Sequence, residues 1–419
     1  MERSKKVAFV TLGCKLNFSE TSSISREFQE NGYEVVAFSA NADIYVINTC
    51  SVTEHADKKC RNIIRKLHRQ NEDAIIAVTG CYAQLKPEEI ANIEGVDLVF
   101  GANSKGDLFG VVSKYQSDKG QQIFSCAVNK IETIFPAYSS GDRTRSFLKV
   151  QDGCDYFCTY CTIPMARGRS RNMPVALLVE EAKKIASTGI KEVVLTGVNT
   201  GDFGHTTGEK FLDLLKALNE VEGIERYRIS SIEPNLLDEE IAEWISSGTK
   251  FLPHFHIPLQ SGSDKVLKGM KRRYDTKLFE ERIAMLRSKI DNLFIGIDVI
   301  VGFPGETEED FEDTCKFLER VKPAFLHIFP YSKRSGTIAA KMEGQVSEQE
   351  KNRRVEVLKG LSDKLHEEFV ESNRGREEEV LFESREKGGM MFGYTRNYIL
   401  VKQPYEKEKI GKIIKVTLS

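Results

Sequence analysis

Three cysteines crowd into one short stretch, QDGCDYFCTYC, at residues 151–161. Their spacing, C-x3-C-x2-C, lets a single loop present three thiolates to one metal site. Zinc sites usually add a second cysteine pair or histidines, and neither lies nearby in the sequence. Cys158 and Cys161 alone match a thioredoxin-like redox pair, but Cys154 would then be surplus. The spacing therefore favours a four-iron cluster with three cysteine ligands and one iron left open.

Three further cysteines each follow a strand-like run, in VAFVTLGC, IYVINTC and IIAVTGC. They are Cys14, Cys50 and Cys81, which we call the edge cysteines. The carboxyl ends of parallel strands share the edge at which open α/β sheets bind ligands. The edge cysteines are therefore predicted to converge into a second three-thiolate site, for a second cluster or alternatively for zinc. Cys60, Cys126 and Cys315 are predicted to be packing residues.

The composition is that of an ordinary globular protein, with 40% hydrophobic and 29% charged residues in 419. A formal net charge of −2 gives no overall electrostatic signal, so a nucleic-acid surface must come from local clusters. No signal peptide or membrane-length apolar stretch is predicted, which indicates a cytoplasmic protein. Nine cysteines in that reducing compartment argue against a disulfide framework.

Alternating strand and helix patterns predict an α/β fold built in three parts. Residues 3–115 are expected to form a doubly wound parallel sheet that carries the edge cysteines, and 116–140 a linker. Residues 141–374 contain six strand candidates and a long trailing helix, which indicates a partial (β/α)6 barrel. Short strands with turn residues predict a small all-β barrel over 375–419. Cys154, Cys158 and Cys161 directly follow the first barrel strand, and we call them the barrel cysteines.

The barrel and its loop resemble the radical S-adenosylmethionine (SAM) superfamily, whose motif C-x3-C-x-aromatic-C has Tyr160 in the aromatic position. With the edge cysteines and the tail added, nearly the whole chain resembles the methylthiotransferase family, and the tail its RNA-binding TRAM domain. TLGCKLN, INTCSVTEHADKKCR and TGCYAQ resemble the branch that acts on threonylcarbamoyladenosine in tRNA. In that branch a lysine, here Lys15, follows the glycine-cysteine pair. QDGCDYFCTYCTIPMARGRSRN and HIPLQSGSDKVLKGMKRRY agree with it.

The resemblance implies two [4Fe-4S] clusters, one on the barrel cysteines and one on the edge cysteines. SAM would act as methyl donor and radical source, with electrons from a donor such as a flavodoxin or ferredoxin. The expected reaction adds a methylthio group to carbon 2 of N6-threonylcarbamoyladenosine next to the anticodon of tRNA. Two alternatives stay open: a methylthiotransferase acting on isopentenyladenosine or a ribosomal protein, and a non-catalytic iron–sulfur redox sensor that binds RNA.

Further candidate residues lie at the barrel strand ends, in two basic clusters and in the tail. Those predicted to help bind SAM are Tyr160, Thr196, Gly197, Val198, Asn199, Ser231, Glu233, Gln260, Ser261, Val301 and Gly302. Those predicted to contact the tRNA anticodon loop are Lys15, Asn17, Arg167, Arg169, Arg171, Lys271, Arg272, Arg273, Tyr394, Arg396, Asn397 and Tyr398.

Overall fold

The computed structural model describes residues 4–51, 53–115, 120–141 and 144–419. Its first sheet has six parallel strands: β1 (Lys6–Thr11), β2 (Glu34–Val36), β3 (Ile44–Thr49), β4 (Ile75–Gly80), β5 (Leu98–Phe100) and β6 (Gln122–Phe124). Their order in the sheet is β2-β1-β3-β4-β5-β6. The helices of this part are α1 (Lys15–Glu30), α2 (Glu54–Gln70), α3 (Cys81–Leu85), α4 (Pro87–Ala91) and α5 (Leu108–Val112).

Strands β1, β3 and β4 form the centre of this sheet and are covered by helices on both faces. Every residue of β3 is buried, as a continuous apolar run in a parallel sheet requires. The register pairs Thr11 with Asn48 and Thr49 with Gly80, so the three strands end at one level. That level places the residues that follow the strands at a common edge, as predicted.

Strand β6 lies in the segment predicted to be a linker. It pairs in parallel with β5 and so belongs to the first sheet. The sequence QQIFSCAV within that segment allows a strand, and the structure adds it to the first sheet beyond the predicted end of the first domain at residue 115. Residues 116–119 of the predicted linker, and Asp142 and Arg143 in the GDRTR stretch after it, lie outside the described residues.

The second part is the predicted partial barrel of six parallel strands. They are β7 (Arg145–Lys149), β10 (Glu192–Thr196), β11 (Arg226–Ile229), β12 (His254–Gln260), β13 (Phe294–Val301) and β14 (Phe325–Pro330). Strands β7, β10 and β11 form one parallel sheet and β12, β13 and β14 another. Parallel bridges from Tyr227 to Phe251 and from Ser231 to His256 join the two. The short antiparallel pair β8 (Gln151–Asp152) and β9 (Arg171–Asn172) brackets the barrel cysteines.

Helices cover the outside of the barrel and bury apolar side chains against its strands. They are α7 (Val175–Ser187), α8 (Phe211–Asn219), α9 (Glu239–Ser246), α10 (Asp264–Gly269), α11 (Thr276–Lys289), α12 (Glu308–Val321) and α13 (Glu348–Glu371). The short helix α6 (Ile163–Arg167) follows the barrel cysteines and packs against α3. Several start at side-chain caps. Thr307, for example, accepts a bond from the amide of Asp310, whose side chain bonds back to Thr307. Helix α13 is the predicted trailing helix, and it packs against β14.

The tail forms a four-stranded antiparallel sheet. Its strands are β15 (Glu377–Lys387), β16 (Met390–Thr395), β17 (Leu400–Pro404) and β18 (Ile413–Thr417), in the order β17-β16-β15-β18. Arg145 pairs with Glu383 at 2.6 Å, and Arg226 donates to the carbonyl of Glu379 at 2.9 Å. Because Arg145 and Arg226 begin strands β7 and β11, these bonds seat the tail against the amino-terminal ends of the barrel strands. None of the described helices is long and apolar enough to cross a membrane.

Candidate active site

The barrel cysteines lie on a tight loop after β8, and its shape depends on one glycine. Gly153 has φ +73°, and a Cβ there would lie 1.9 Å from the carbonyl oxygen of Arg169. The backbone amide of Cys154 donates to the carbonyl of Gly168 at 3.1 Å. Only glycine fits this close approach, which turns the chain back before the first thiol.

Each barrel cysteine receives an N–H group at its sulfur. The amides of Tyr156 and Ile163 donate to the Sγ atoms of Cys154 and Cys161, each at 3.4 Å. Nη1 of Arg272 donates to Sγ of Cys158 at 3.1 Å. Burial raises the pKa of the Cys154 and Cys161 thiols to about 12. N–H donors at buried sulfurs stabilise a thiolate, so the loop is built to hold negative sulfur that a metal site balances.

The edge cysteines converge as their strand ends predicted. Gly13 (φ +99°) precedes Cys14, and a Cβ on it would lie 2.7 Å from Cβ of Cys50 and 2.8 Å from its Sγ. Cys81 is the first residue of α3, directly after Gly80. A Cβ on Gly80 would meet the backbone of Thr49, the residue before Cys50. Two glycines thus allow the three cysteine-bearing turns to approach one another.

The spacing of the sulfur atoms can be compared with that around a single zinc ion. Three thiolates on one tetrahedral zinc would lie about 3.8 Å apart, given Zn–S bonds of about 2.3 Å. Among the described residues, the barrel cysteines and the edge cysteines are both absent from the side-chain groups whose ligand atoms all lie within 4.8 Å of one another. In neither set, therefore, do the three sulfur atoms all lie as close together as one tetrahedral zinc would require.

Buried charges fill the space between the two sets. Glu20 on α1 is fully buried and contacts Lys105, Lys149 at 2.7 Å and Arg167 at 3.1 Å. Asp152 lies 2.6 Å from Lys149 and 2.9 Å from Arg167. Arg167 ends α6, which follows the barrel cysteines and packs against α3 at the edge cysteines. The network joins the first sheet to the barrel at the site itself.

This network corrects part of the RNA-binding prediction. Arg167 and Arg171 are buried and engaged: the guanidinium of Arg171 donates to the carbonyls of Thr133, Arg167 and Arg169. Asn17 is also fully buried, donating to the carbonyls of Leu12 and Thr49 and accepting from Arg167. These three side chains hold the cysteine-bearing loops together and present nothing to a phosphate.

Two more of the predicted RNA contacts are engaged inside the protein. Arg272 bonds to Cys158 and to the carboxylate of Glu233, so it belongs to the barrel-cysteine loop. Asn397 is buried and donates to Asn373 at 3.1 Å. Accessible candidates are Arg169, whose side chain is 73% exposed, and the exposed Lys271 and Arg273. The predictions for those three and for Arg396 stand as predictions.

Several predicted SAM-binding groups already have partners within the chain. The amides of Val198 and Asn199 both donate to Oε1 of Gln151, at 2.9 and 3.0 Å. Ser261 is fully buried beside Thr314, at 3.3 Å between hydroxyls.

Two predicted SAM-binding residues at the end of β13 also have partners within the chain. The amide of Gly302 donates to Glu306, and the carbonyl of Val301 accepts from Tyr331. One backbone atom of each of these two predicted SAM-binding residues is therefore already bonded within the chain.

Other residues predicted to bind SAM lie around the barrel cysteines and are less fully bonded within the chain. Tyr160 and Glu233 both approach the guanidinium of Arg272. Nδ2 of Asn199 is buried and has no hydrogen-bond partner among the described residues. Gln260 ends β12 at φ +71°, a conformation in which non-glycine residues are uncommon and which turns its side chain out of the strand register. Thr196, Gly197 and Ser231 lie at neighbouring strand ends.

A cavity of about 730 Å³ runs from Cys14, one of the edge cysteines, into the barrel lumen. Cys14 and Lys15 line one wall, and side chains of the barrel strands line the interior. Tyr394 and Tyr398 of the tail line another part, stacked on each other with ring centroids 4.7 Å apart. The cavity thus joins the first sheet, the barrel and the tail, and it is large enough to hold a substituted nucleobase.

Sequence analysis missed several polar side chains of this region. His256, Asp298 and His327 meet in the lumen, with Nε2 of His256 at 2.6 Å from Oδ1 of Asp298. Each interrupts an otherwise apolar strand, and that interruption was the available signal. Glu20 and Lys149 were harder to identify from the sequence, because a charged residue in a helix or strand pattern does not reveal that its side chain is buried.

Family models match three consecutive segments. Residues 6–101 match "Uncharacterized protein family UPF0004", residues 148–318 the radical SAM superfamily, and residues 371–419 the TRAM domain. Among solved structures, the radical SAM methyltransferase TsrM from Kitasatospora setae has a TM-score of 0.58 at 15% identity, covering 93% of this chain and 81% of that one. That likeness concerns the fold. A six-stranded parallel partial barrel with the barrel cysteines after its first strand defines a radical SAM protein.

Curated relatives cover nearly the whole chain. The threonylcarbamoyladenosine tRNA methylthiotransferase MtaB of Bacillus subtilis is 44% identical over 98% of this chain and 93% of its own. Its namesake in Aquifex aeolicus is 40% identical over 99% and 100%. The tRNA-2-methylthio-N(6)-dimethylallyladenosine synthase of Alkaliphilus oremlandii is 34% identical over 99% and 90%. The chain belongs to the methylthiotransferase family of radical SAM enzymes.

Proposed function

We propose that this protein transfers a methylthio group to carbon 2 of N6-threonylcarbamoyladenosine in tRNA. The observation that carries the proposal is the cavity that Cys14, the barrel lumen and the tail tyrosines share. A base that leaves the anticodon-loop stack and enters it would lie beside the edge cysteines while the RNA backbone stays at the tail. Relatives that carry this activity in their names are 40% and 44% identical, against 34% for a dimethylallyladenosine relative.

The two sets of cysteines are proposed to hold two [4Fe-4S] clusters, with SAM beside the barrel cysteines. When bound, these groups supply radical abstraction of the hydrogen on carbon 2 and the methylated sulfur that replaces it. An aromatic C–H group is too weakly acidic to be deprotonated at neutral pH, so a radical route suits this target. A small one-electron donor such as a flavodoxin or ferredoxin is proposed to supply the electrons.

The chain's own residues bind, orient and shield these groups. Arg272 positions the barrel-cysteine loop through its bonds to Cys158 and Glu233. The buried network around Glu20 fixes the distance between the two cysteine sets and keeps water from the space between them. Asn199 and Gln260 are the proposed SAM contacts with the strongest support, since one has an unpartnered buried amide and the other a turned backbone.

The proposal is tested by nucleoside mass spectrometry of tRNA from cells that lack this protein. We expect loss of the methylthio group from threonylcarbamoyladenosine, with its unmethylthiolated form accumulating. Methylthio-dimethylallyladenosine in the same sample is the internal control and should be unchanged. An unchanged level of methylthio-threonylcarbamoyladenosine would contradict the proposal, and selective loss of the control nucleoside would favour the dimethylallyl activity instead.

Replacing Gly13 with alanine is expected to empty the edge-cysteine site. The new methyl group would enter the space of Cys50 and would require alanine to adopt φ +99°. Iron and sulfide analysis of anaerobically reconstituted protein should show the iron of one cluster lost and that of the barrel cysteines kept. Gly189→Ala is a matched control, since it also has positive φ but meets nothing within 4 Å. Full iron content in Gly13→Ala would contradict the assignment.

A further inference from the structure

The cavity contains polar groups that the proposed reaction leaves unexplained. Nη2 of Arg228 and Nδ1 of His254 are buried and have no hydrogen-bond partner among the described residues. Arg228 is 2% exposed and His254 9%, and both line the cavity. Unsatisfied buried polar atoms cost free energy, so a native structure that keeps them at a cavity wall commonly satisfies them with a ligand.

Lys15 adds a cation that lines the same cavity and, unlike the other two side chains, is exposed. Its side chain lines the cavity and makes no salt bridge with any residue that the structure describes. It shares this cavity lining with Arg228 and His254. Two cations and a histidine thus face the same space from the first sheet and from the barrel.

Two carboxylates lie near this set, and neither bonds to the free nitrogen atoms of Arg228 and His254. Glu192 is buried and lies 3.1 Å from Nε of Arg228, which leaves Nη2 of that guanidinium free. Oδ1 of Asp298 accepts from Nε2 of His256 at 2.6 Å. Among the described residues, the cavity therefore keeps a lysine without a salt bridge and unused nitrogen atoms of Arg228 and His254, a combination that suits an anion with several acceptor oxygens.

We propose that Lys15, Arg228 and His254 bind the carboxylate of the threonylcarbamoyl substituent and so select this nucleoside. The inference rests on the proposed function. A threonylcarbamoyl group ends in a carboxylate, whereas a dimethylallyl group is an uncharged hydrocarbon that would leave all three polar groups unpaired. Such a site rejects the analogue that lacks the partner, because the cost of the unpaired groups falls on the wrong complex. The SAM carboxylate is not a competing occupant, since none of the barrel cysteines lines this cavity.

The test measures equilibrium binding of anticodon stem-loops to full-length, cluster-loaded protein without SAM or reductant. Three RNAs differ at one base only: threonylcarbamoyladenosine, the same base with its carboxylate converted to the methylamide, and dimethylallyladenosine. The wild-type protein should bind the carboxylate RNA about 10-fold more tightly than the amide, as expected for a charged hydrogen bond. Lys15→Met should weaken the carboxylate RNA by about 10-fold and leave the Kd of the amide RNA within about twofold.

Two further variants guard the interpretation. Arg228→Lys keeps a cation opposite Glu192 but removes the unpaired Nη2 group, and it should also reduce the preference for the carboxylate RNA. Lys277→Met removes an exposed lysine on α11, whose side chain is 83% exposed, and should change neither RNA. Equal weakening of carboxylate and amide RNAs by Lys15→Met, or no weakening of either, would overturn the inference.

The outcome for the inference can be separated from that for the proposed function. Wild-type protein with SAM and reductant is assayed in parallel for methylthiolation of the carboxylate RNA. If the wild-type protein methylthiolates the carboxylate RNA but Lys15→Met weakens the carboxylate and amide RNAs equally, only the inference fails. If the wild-type protein converts the dimethylallyl RNA and not the carboxylate RNA, the proposed function fails and the inference fails with it.

Discussion

Replacing Cys81 with alanine is expected to abolish methylthio transfer while reductive cleavage of SAM to 5′-deoxyadenosine continues. The reason is that the two sets of cysteines lie in different parts of the fold. Cys81 begins α3 at the edge of the first sheet, whereas the barrel cysteines lie on a separate loop with its own N–H donors. Removing one edge thiolate should therefore spoil the sulfur-delivering site and leave the radical-generating one loaded. Quantifying 5′-deoxyadenosine and methylthiolated nucleoside in the same reaction checks both halves.

The matched control is Cys315→Ala, since Cys315 is a partly buried thiol on outer helix α12. It should keep both products at wild-type levels. Loss of SAM cleavage in Cys81→Ala would show that the two sites are not independent, and continued methylthio transfer would remove Cys81 from the reaction. Alanine at all three barrel cysteines completes the test: iron that remains bound requires a cluster on the edge cysteines, and bound zinc would contradict it.

Replacing Glu20 with alanine is expected to destabilise the protein by about 3–5 kcal/mol, the usual cost of breaking a buried ion pair from one side. Glu20 is fully buried among Lys105, Lys149 and Arg167, so its loss leaves three cations with only Asp152 as counter-charge. The midpoint of thermal unfolding should fall by several degrees. Glu180→Ala removes an exposed partner of Lys183 and should leave the midpoint nearly unchanged.

The same carboxylate predicts acid sensitivity. Burial alone would raise the pKa of Glu20, but Arg167, Lys105 and Lys149 hold it well below its usual range. A carboxylate with a depressed folded-state pKa stabilises the protein above its unfolded pKa of about 4.3, and that contribution is lost as the pH falls below it. Glu20→Gln should therefore flatten the decline of the unfolding midpoint between neutral and acidic pH. A mutant that declines as steeply as the wild type would contradict the role given to Glu20.

The sequence predicted the parts of the site that periodicity and spacing encode. Cys14, Cys50 and Cys81 each follow an apolar strand run, and parallel strands end at one edge, so their convergence could be foreseen. The barrel was predictable because its strands alternate with amphipathic helices at regular intervals. Strand β6 was too short to separate from its surroundings.

Side-chain partners were less accessible to sequence reasoning. The ARGRSR cluster indicated a phosphate-binding surface, yet Arg167 and Arg171 are buried against Asp152. Glu20, which also pairs with Arg167, lies 147 positions earlier in the chain. A basic cluster shows charge but not exposure, and only the fold shows which acidic residues meet it. The same limit applies to Arg228 and His254, each of which keeps one buried nitrogen atom without a hydrogen-bond partner among the described residues.

The stacked Tyr394 and Tyr398 connect the tail to the chemistry of the barrel. The guanidinium of Arg228 lies 4.6 Å from the ring centroid of Tyr398, and that of Arg145 lies 4.9 Å from Tyr394. The tail and the barrel thus form one wall of the cavity together. The tail is therefore not an RNA-binding module that acts independently of the barrel. A chimaera that borrowed its last segment from a relative with another nucleoside preference would import part of the selection pocket as well. In this architecture, RNA binding and the choice of the base depend on the same part of the protein and change together.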